Sequence, residues 1–132
     1  MQEKQQYPRV SVVIPTLNEA ENLRYVLPRL PSIVSEVILV DGNSFDDTVE
    51  VAQILLPSVC IIKQLGKGKG DAMRAGFAAC TGDIIVMLDA DGSADPTEIP
   101  VFVEALLKGY DFAKGSRFVK GGGSIDITWL RS

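Results

Sequence analysis

Apolar and polar positions fall into blocks along this chain, and the period changes from block to block. Short, mostly apolar runs rich in β-branched residues stand at residues 10–14, 36–40, 59–62 and 84–88. Runs of that length, bounded by turn-forming clusters, predict strands buried on both faces, as in a parallel sheet. Between them apolar residues recur every three or four positions, the period of amphipathic helices. Leu23, Val26, Leu27 and Leu30 mark the first helix, with Asn18 as N-cap, Glu21 closing a capping box, and Pro28 and Pro31 limiting its length. Val49, Ala52 and Leu56 mark the second, capped by Asp46 or Asp47 and ended by Pro57. Ala72, Ala75, Gly76 and Ala79 mark the third, small residues suited to close packing on a sheet. Ile99, Phe102, Val103, Leu106 and Leu107 mark the fourth, opened by Asp95-Pro96-Thr97-Glu98 and ended at Gly109. Residues 111–114 predict a fifth strand, and Gly121-Gly122-Gly123-Ser124 a loop or hinge. Strand–helix alternation of this kind predicts an α/β fold: a doubly wound, mostly parallel sheet with helices on both faces.

Composition narrows the chemistry. The chain has 132 residues, of which 46% are hydrophobic, enough for one domain with a substantial core. A net charge of −4 gives no basic field for nucleic acid. The sequence has no His, which excludes His-ligated zinc and Ser-His-Asp catalysis. Cys60 and Cys80 lack metal-ligand spacing and are expected to be free, buried thiols in a reducing, cytoplasmic setting. Residues 1–8 are expected to form a flexible tail without the apolar core of a signal peptide. No apolar run approaches the ~20 residues of a membrane span. Residues 127–132 read as the start of an amphipathic element with neither cap nor breaker, so the chain is expected to be part of something longer.

The candidate chemistry gathers where strands end. Asp89-Ala90-Asp91 follows the fourth strand directly, and the carboxyl edge of an open α/β sheet is where ligands bind. Two carboxylates that close repel unless a cation neutralises them, and a divalent ion shared with a phosphate does so. Turn capping is the alternative for the same pair. Asn18 and Glu19, Asp41, Lys67 and Lys69, and Ser116 and Arg117 fall at the same edge in this reading. Asp41, before Gly42, either accepts from a base or ribose or caps its turn. Glu19 either meets ligand or favours a helix amino end. Lys67 and Lys69 lie on a glycine loop that either approaches a diphosphate or is a solvated surface loop, the second reading applying more to Lys67 than to Lys69, which leads into the helix. That loop fits neither standard glycine fingerprint: Asp71 and Met73 stand where glycines would be needed, and Gly68-Lys69 is followed by Gly70. Arg117 suits bidentate phosphate recognition or a surface ion pair.

Residues 12–19 (Val-Val-Ile-Pro-Thr-Leu-Asn-Glu), the run from Val40-Asp41-Gly42 to Thr48, Gly68-Lys69-Gly70-Asp71-Ala72, Leu88-Asp89-Ala90-Asp91-Gly92 and Gly115-Ser116-Arg117 stand in one order and spacing. Together they resemble the donor-binding domain of inverting family 2 glycosyltransferases with the GT-A fold, in the dolichyl-phosphate mannose synthase-like, polyprenyl-phosphate branch. The resemblance implies a domain over residues 9–118 and the incomplete start of an acceptor-side region over 119–132. It implies that Pro15, Leu17 and Glu19 line the nucleoside pocket, with Val40, Asp41 and Gly42 beside the base. Lys69 and Asp89-Ala90-Asp91 would meet the sugar diphosphate. Asp89 and Asp91, with Ser93 as a weaker ligand, would hold Mg²⁺ or Mn²⁺. Asp91 and Arg117 would act catalytically, and Arg131 would face the acceptor. Gly42 replaces the second Asp usual in the family, which leaves the base open, and Ser93 replaces a Gln of the mannose synthases.

The implied activity is sugar transfer from a GDP- or UDP-linked donor, with metal-assisted inversion, to an acceptor such as a polyprenyl phosphate at the cytoplasmic face of a membrane. A phosphate acceptor needs no general base, and none is evident in this length. The alternative is a metal-dependent sugar-nucleotide-binding module without turnover, its acceptor part missing and its incomplete end prone to self-association. A receiver-like signalling domain does not fit, because the third strand ends in Lys63-Gln64 rather than a lone Asp. A nucleotidyltransferase lacks its amino-terminal glycine loop here: Pro15-Thr16-Leu17-Asn18 follows the first strand.

Overall fold

The computed structural model describes residues 7–110, 117–119 and 125–129. Among the described residues six strands and four α-helices follow one another: β1 Val10–Thr16, α1 Ala20–Val26, β2 Val34–Asp41, α2 Thr48–Leu55, β3 Cys60–Lys63, α3 Lys69–Ala79, β4 Ile84–Leu88, α4 Ile99–Tyr110, β5 Arg117–Val119 and β6 Ile125–Trp129. The strands form one sheet in the order β3-β2-β1-β4-β6-β5. β1, β2, β3 and β4 are mutually parallel, while β6 runs antiparallel to both β4 and β5. The chain winds one way from β1 through β2 to β3, then crosses to β4 on the other side of β1. Its switch point therefore lies between β1 and β4, where open α/β sheets form their crevice.

Period-two alternation divides the core between two faces. Val12, Ile14, Leu39, Val86, Leu88 and Ile127 pack with Leu23, Val51 and Val103, so α1, α2 and α4 cover one face. Val13, Ile38, Val40, Ile85 and Met87 pack with Ala72 of α3 on the other. Burial on both sides explains why the parallel strands read as continuous apolar runs. The small residues of α3 allow a very close approach: a Cβ at Gly76 would overlap Val13 Cγ1 and stand 3.3 Å from Val40 Cγ2.

Several elements differ from the sequence expectation. β1 continues through Pro15 to Thr16. Its pairing with β4 ends at Val13, while pairing with β2 runs on to Asp41. The Thr16 carbonyl accepts from Gly42 on the β2 side. By alternation the Pro15 nitrogen faces the side where the ladder has stopped, so its missing N–H costs nothing. Of the amphipathic element expected at residues 127–132, residues 127–129 belong to strand β6, in which Ile125 and Ile127 are buried; the rest lies outside the described residues. The strand expected at residues 111–114, the glycine run at 121–124 and Arg131 lie outside the described residues. Asp95 caps as expected, its carboxylate accepting from the Thr97 N–H at 3.0 Å, although one 3₁₀ turn precedes α4. Cys60 is exposed rather than buried, because β3 is a short edge strand. Cys80 is free and part-buried, and burial pushes its thiol up to about 11.

At the amino edge of the sheet, opposite the switch point's open side, Glu36 ties three segments together. Its Oε2 accepts from Ser11 Oγ (2.6 Å), the Thr81 N–H (2.6 Å) and Thr81 Oγ1 (3.0 Å). Burial opposes the charge, but these hydrogen bonds outweigh it and hold the carboxyl below the ordinary glutamate range. The resulting stabilisation is present above the unfolded-state pKa and is lost as pH falls through the lower folded value. Glu36→Gln should therefore lower stability near neutral pH by about 1–2 kcal/mol. The gap in Tm between wild type and variant should close on acidification; a gap of the same size at pH 3 and pH 7 would count against this role.

Candidate active site

Three βα loops meet beside the switch point and enclose a cleft of about 610 Å³. That size suits a nucleotide. The loop after β1 contributes Pro15, Thr16, Leu17 and Glu19, and the loop after β2 contributes Gly42 and Asn43. Residues 64–69 form the third wall, and Asp89 reaches the cleft from the end of β4. Leu17 is 56% exposed and Leu65 fully exposed. Two bare apolar side chains on a cleft wall are unfavourable in water and suit a planar, partly apolar ligand.

The first two loops hold each other in shape. Asn18 adopts a left-handed conformation with φ 56°. Its Oδ1 accepts from the N–H groups of Phe45 (2.7 Å) and Asp46 (3.3 Å), and its own N–H donates to Ser44 Oγ. The amino end of α1 is met in return by the second loop: Glu19 N–H donates to Thr48 Oγ1 and Ala20 N–H to Asp46. Asn18 is thus a brace between loops rather than the expected N-cap; the N-cap position falls on Glu19, whose side chain makes no capping bond. Glu19 lines the cleft while accepting from Asn22 at 2.9 Å.

Asp41 is 3% exposed and enclosed by donors. Thr16 Oγ1 and Ser44 Oγ donate to Oδ1 at 3.0 and 2.6 Å, and the Ser44 N–H donates to Oδ2 at 3.0 Å. Of its two sequence readings, turn capping is the one seen. Val40 is wholly buried against α3. Neither Val40 nor Asp41 lines the cleft, and Gly42 does. The reason is alternation at the end of β2: the strand's last side chains are spent in the core and on the turn.

The third wall is fixed by Gln64, which the sequence reading passed over. Its side chain is buried, and Nε2 donates to the Gly68 carbonyl (2.9 Å) and to Asp71 (3.1 Å), while its N–H donates to the Asp41 carbonyl. An amide directly after an apolar strand and before a glycine loop was the available signal. Gly68, with φ +87°, turns the chain into α3, which begins at Lys69. From there Lys69 Nζ reaches Asp89 Oδ1 at 2.8 Å.

Beyond β4 the alternation continues. Ala90 is buried with Leu88 on the α1 side, which leaves Asp89 facing α3 and Lys69. Asp91 is exposed, and its Oδ1 accepts from Ser93 Oγ (2.5 Å) and the Ser93 N–H (2.9 Å). The hydroxyl first and the N–H second hold the Asp91 carboxyl below the ordinary aspartate range, with a last, smaller contribution from the charge of Lys69. Ser93 here supports Asp91. Among the described residues no group of three or more carboxylate, Cys or His side chains is gathered to hold a metal. Two carboxylates with an ammonium standing beside one of them nevertheless fit a hard divalent cation that takes its other oxygens from phosphate and water.

The strand expected to precede Arg117 lies outside the described residues. Arg117 itself opens β5 and pairs with Thr128, which pairs with Ile85. Its Cα is level with the start of β4, two strands across, on the order of 16 Å from that of Asp89 by ordinary strand spacings.

A cleft of this size at the carboxyl edge of a doubly wound sheet, with Asp89 in its lining, defines the class as an α/β domain with a ligand crevice at its switch point. The chain belongs to glycosyl transferase family 2, whose model matches residues 11–132. It is 41% identical over 121 residues to a dolichol-phosphate mannosyltransferase of Pyrococcus furiosus, covering 86% of this chain and 34% of that protein. It is 37% identical over 113 residues to an undecaprenyl-phosphate 4-deoxy-4-formamido-L-arabinose transferase of Pseudomonas savastanoi, covering 77% of this chain and 34% of that protein. It thus spans about a third of the length of these curated relatives. Among solved structures, Mycobacterium tuberculosis glucosyl-3-phosphoglycerate synthase in complex with Mn²⁺, UDP and glucosyl-3-phosphoglycerate superposes with a TM-score of 0.61 at 28% identity, covering 87% of this chain and 45% of that one. A mannosyltransferase from Pyrobaculum calidifontis superposes at 0.72 with 20% identity, covering 94% and 45%, a likeness of fold. Both superpositions establish the GT-A type of fold read from the sequence.

Proposed function

We propose that this chain binds the sugar-nucleotide donor of a glycosyltransferase that uses a GDP- or UDP-linked sugar, Mg²⁺ or Mn²⁺, and a polyprenyl-phosphate acceptor, with inversion at the sugar. The observation that carries the reading is Asp89 in the lining of the cleft with Lys69 on its carboxylate, and Asp91 two residues on, past the end of the same strand. The base would lie between Leu17 and Leu65, near Gly42. The diphosphate would run toward Lys69 and the two aspartates, which would hold the metal with Ser93 keeping Asp91 ionised. When bound, the metal supplies Lewis-acid stabilisation of the charge that develops on the departing diphosphate. Lys69 adds a point charge at the same place. The relative that binds Mn²⁺ and UDP supports the donor half of this reading, and the relatives named for dolichol and undecaprenyl phosphates support the acceptor half. Among the described residues no helix is long and apolar enough to cross a membrane. With a lipid-linked acceptor, the working site would lie at a membrane's cytoplasmic face.

Thermal-shift and calorimetric titrations with UDP, GDP and their hexose conjugates, in Mn²⁺ and in chelator, test the donor half. A ligand at a hundred times its Kd stabilises the fold by about 2.7 kcal/mol. That shift is expected with Mn²⁺ and largely absent in chelator. Equal shifts in both would sink the metal-assisted reading. Transfer of labelled sugar to a polyprenyl phosphate, measured separately, tests the acceptor half.

A further inference from the structure

In the free protein the cation at the metal pair is the chain's own. We propose that Lys69 is an internal counter-cation for Asp89 that must be displaced for a divalent metal to bind, and that it then turns to the donor's diphosphate, so metal and nucleotide bind cooperatively through one side chain. The inference rests on the donor-binding reading above and deepens it.

The geometry gives both halves of the exchange. Lys69 Nζ lies 2.8 Å from Asp89 Oδ1, which makes the ammonium a stand-in for the metal on that carboxylate. Its charge is also felt at Asp91, after the larger contributions of Ser93. The Lys69 side chain is 53% exposed and lines the cleft, so it can swing without disturbing the core. Its backbone cannot follow: Gln64 holds the Gly68 carbonyl, and Asp71 lies against both Gln64 and Gly66. A lysine fixed at its root and free at its tip exchanges partners by side-chain rotation alone. Once a dication sits on Asp89, the ammonium is repelled from it, and the nearest new anion is a phosphate in the same cleft. Metal alone must compete with Lys69, and diphosphate alone must detach Lys69 from Asp89 or leave it unused. Together each ligand relieves the other's competitor, and the coupling is reciprocal.

The test is Mn²⁺ affinity without nucleotide, read from the free-Mn²⁺ electron paramagnetic resonance signal, for wild type, Lys69→Met and Lys69→Arg. Lys69→Met should bind Mn²⁺ about fivefold more tightly than wild type, the scale of one partly exposed ion pair. Lys69→Arg, which keeps the charge, should bind no more tightly than wild type. With Mn²⁺ saturating, Lys69→Met should bind UDP or GDP more weakly than wild type. Equal or weaker Mn²⁺ binding by Lys69→Met, with clear binding by wild type, overturns the exchange and leaves the donor-binding reading standing. Absence of Mn²⁺ binding by all three proteins, with and without UDP or GDP, overturns both.

Discussion

Asp89→Asn is expected to bind a nucleoside diphosphate equally well in Mn²⁺ and in chelator. The substitution keeps shape and removes the charge that a dication needs at the end of β4. The metal-dependent gain in affinity should fall by about a hundredfold, roughly 2.7 kcal/mol, within the range for removing one partner of a close charge pair. The fold should survive, because the carbonyl oxygen of the new amide can still accept from Lys69, whose present bond to Asp89 is 2.8 Å. Binding in chelator should hold or improve, since one negative charge beside the diphosphate is gone. Asp91→Asn should act in the same direction. Titration of UDP and GDP into wild type and both variants, each in Mn²⁺ and in chelator, decides the matter. A variant that retains the full Mn²⁺ response would remove its aspartate from the site.

Gly76→Val should cost about 3 kcal/mol or more. The position faces Val13 and Val40, both fully buried, and the first added carbon already overlaps Val13 Cγ1. Neither valine has room to retreat, because each sits in a paired strand. Against a total stability of about 5–15 kcal/mol, the loss is large and should lower Tm by roughly 10 °C. Gly76→Ala separates the two opposing effects. Alanine gains about 1 kcal/mol in helix propensity over glycine but must fit the same overlap. A net loss is expected from denaturant melts. A stabilised Gly76→Ala would mean that α3 stands farther from the sheet than these contacts imply.

The parallel strands and their order of appearance were legible because burial on both faces leaves an unbroken apolar record. Asp89 and Asp91 were legible for a related reason: polar residues directly after such a record must lie at the sheet's edge. What the sequence hid were relations between distant segments. Asn18 resembles an N-cap locally, yet its oxygen serves N–H groups 27 and 28 residues away. Gln64 looks like a neutral loop residue until the Gly68 carbonyl is seen to need its amide. At Asp41 the sequence could not show that Thr16 and Ser44 enclose the carboxylate. The amphipathic element expected from residue 127 begins earlier, at Ile125, because a glycine-rich run leaves no apolar signal for the strand's start. That Arg117 itself begins a strand was not legible either, because three residues are too few to carry a period.

The bracing of the first two loops sets the smallest piece of this site that can be transplanted. Phe45 and Asp46 find their acceptor on Asn18, and Glu19 and Ala20 find theirs on Thr48 and Asp46. A specificity graft that imports the loop after β1 alone would strand donors on both sides of the junction and let the cleft wall drift. The loop after β2 must travel with it, because the two segments, distant in sequence, make up one inheritable cassette.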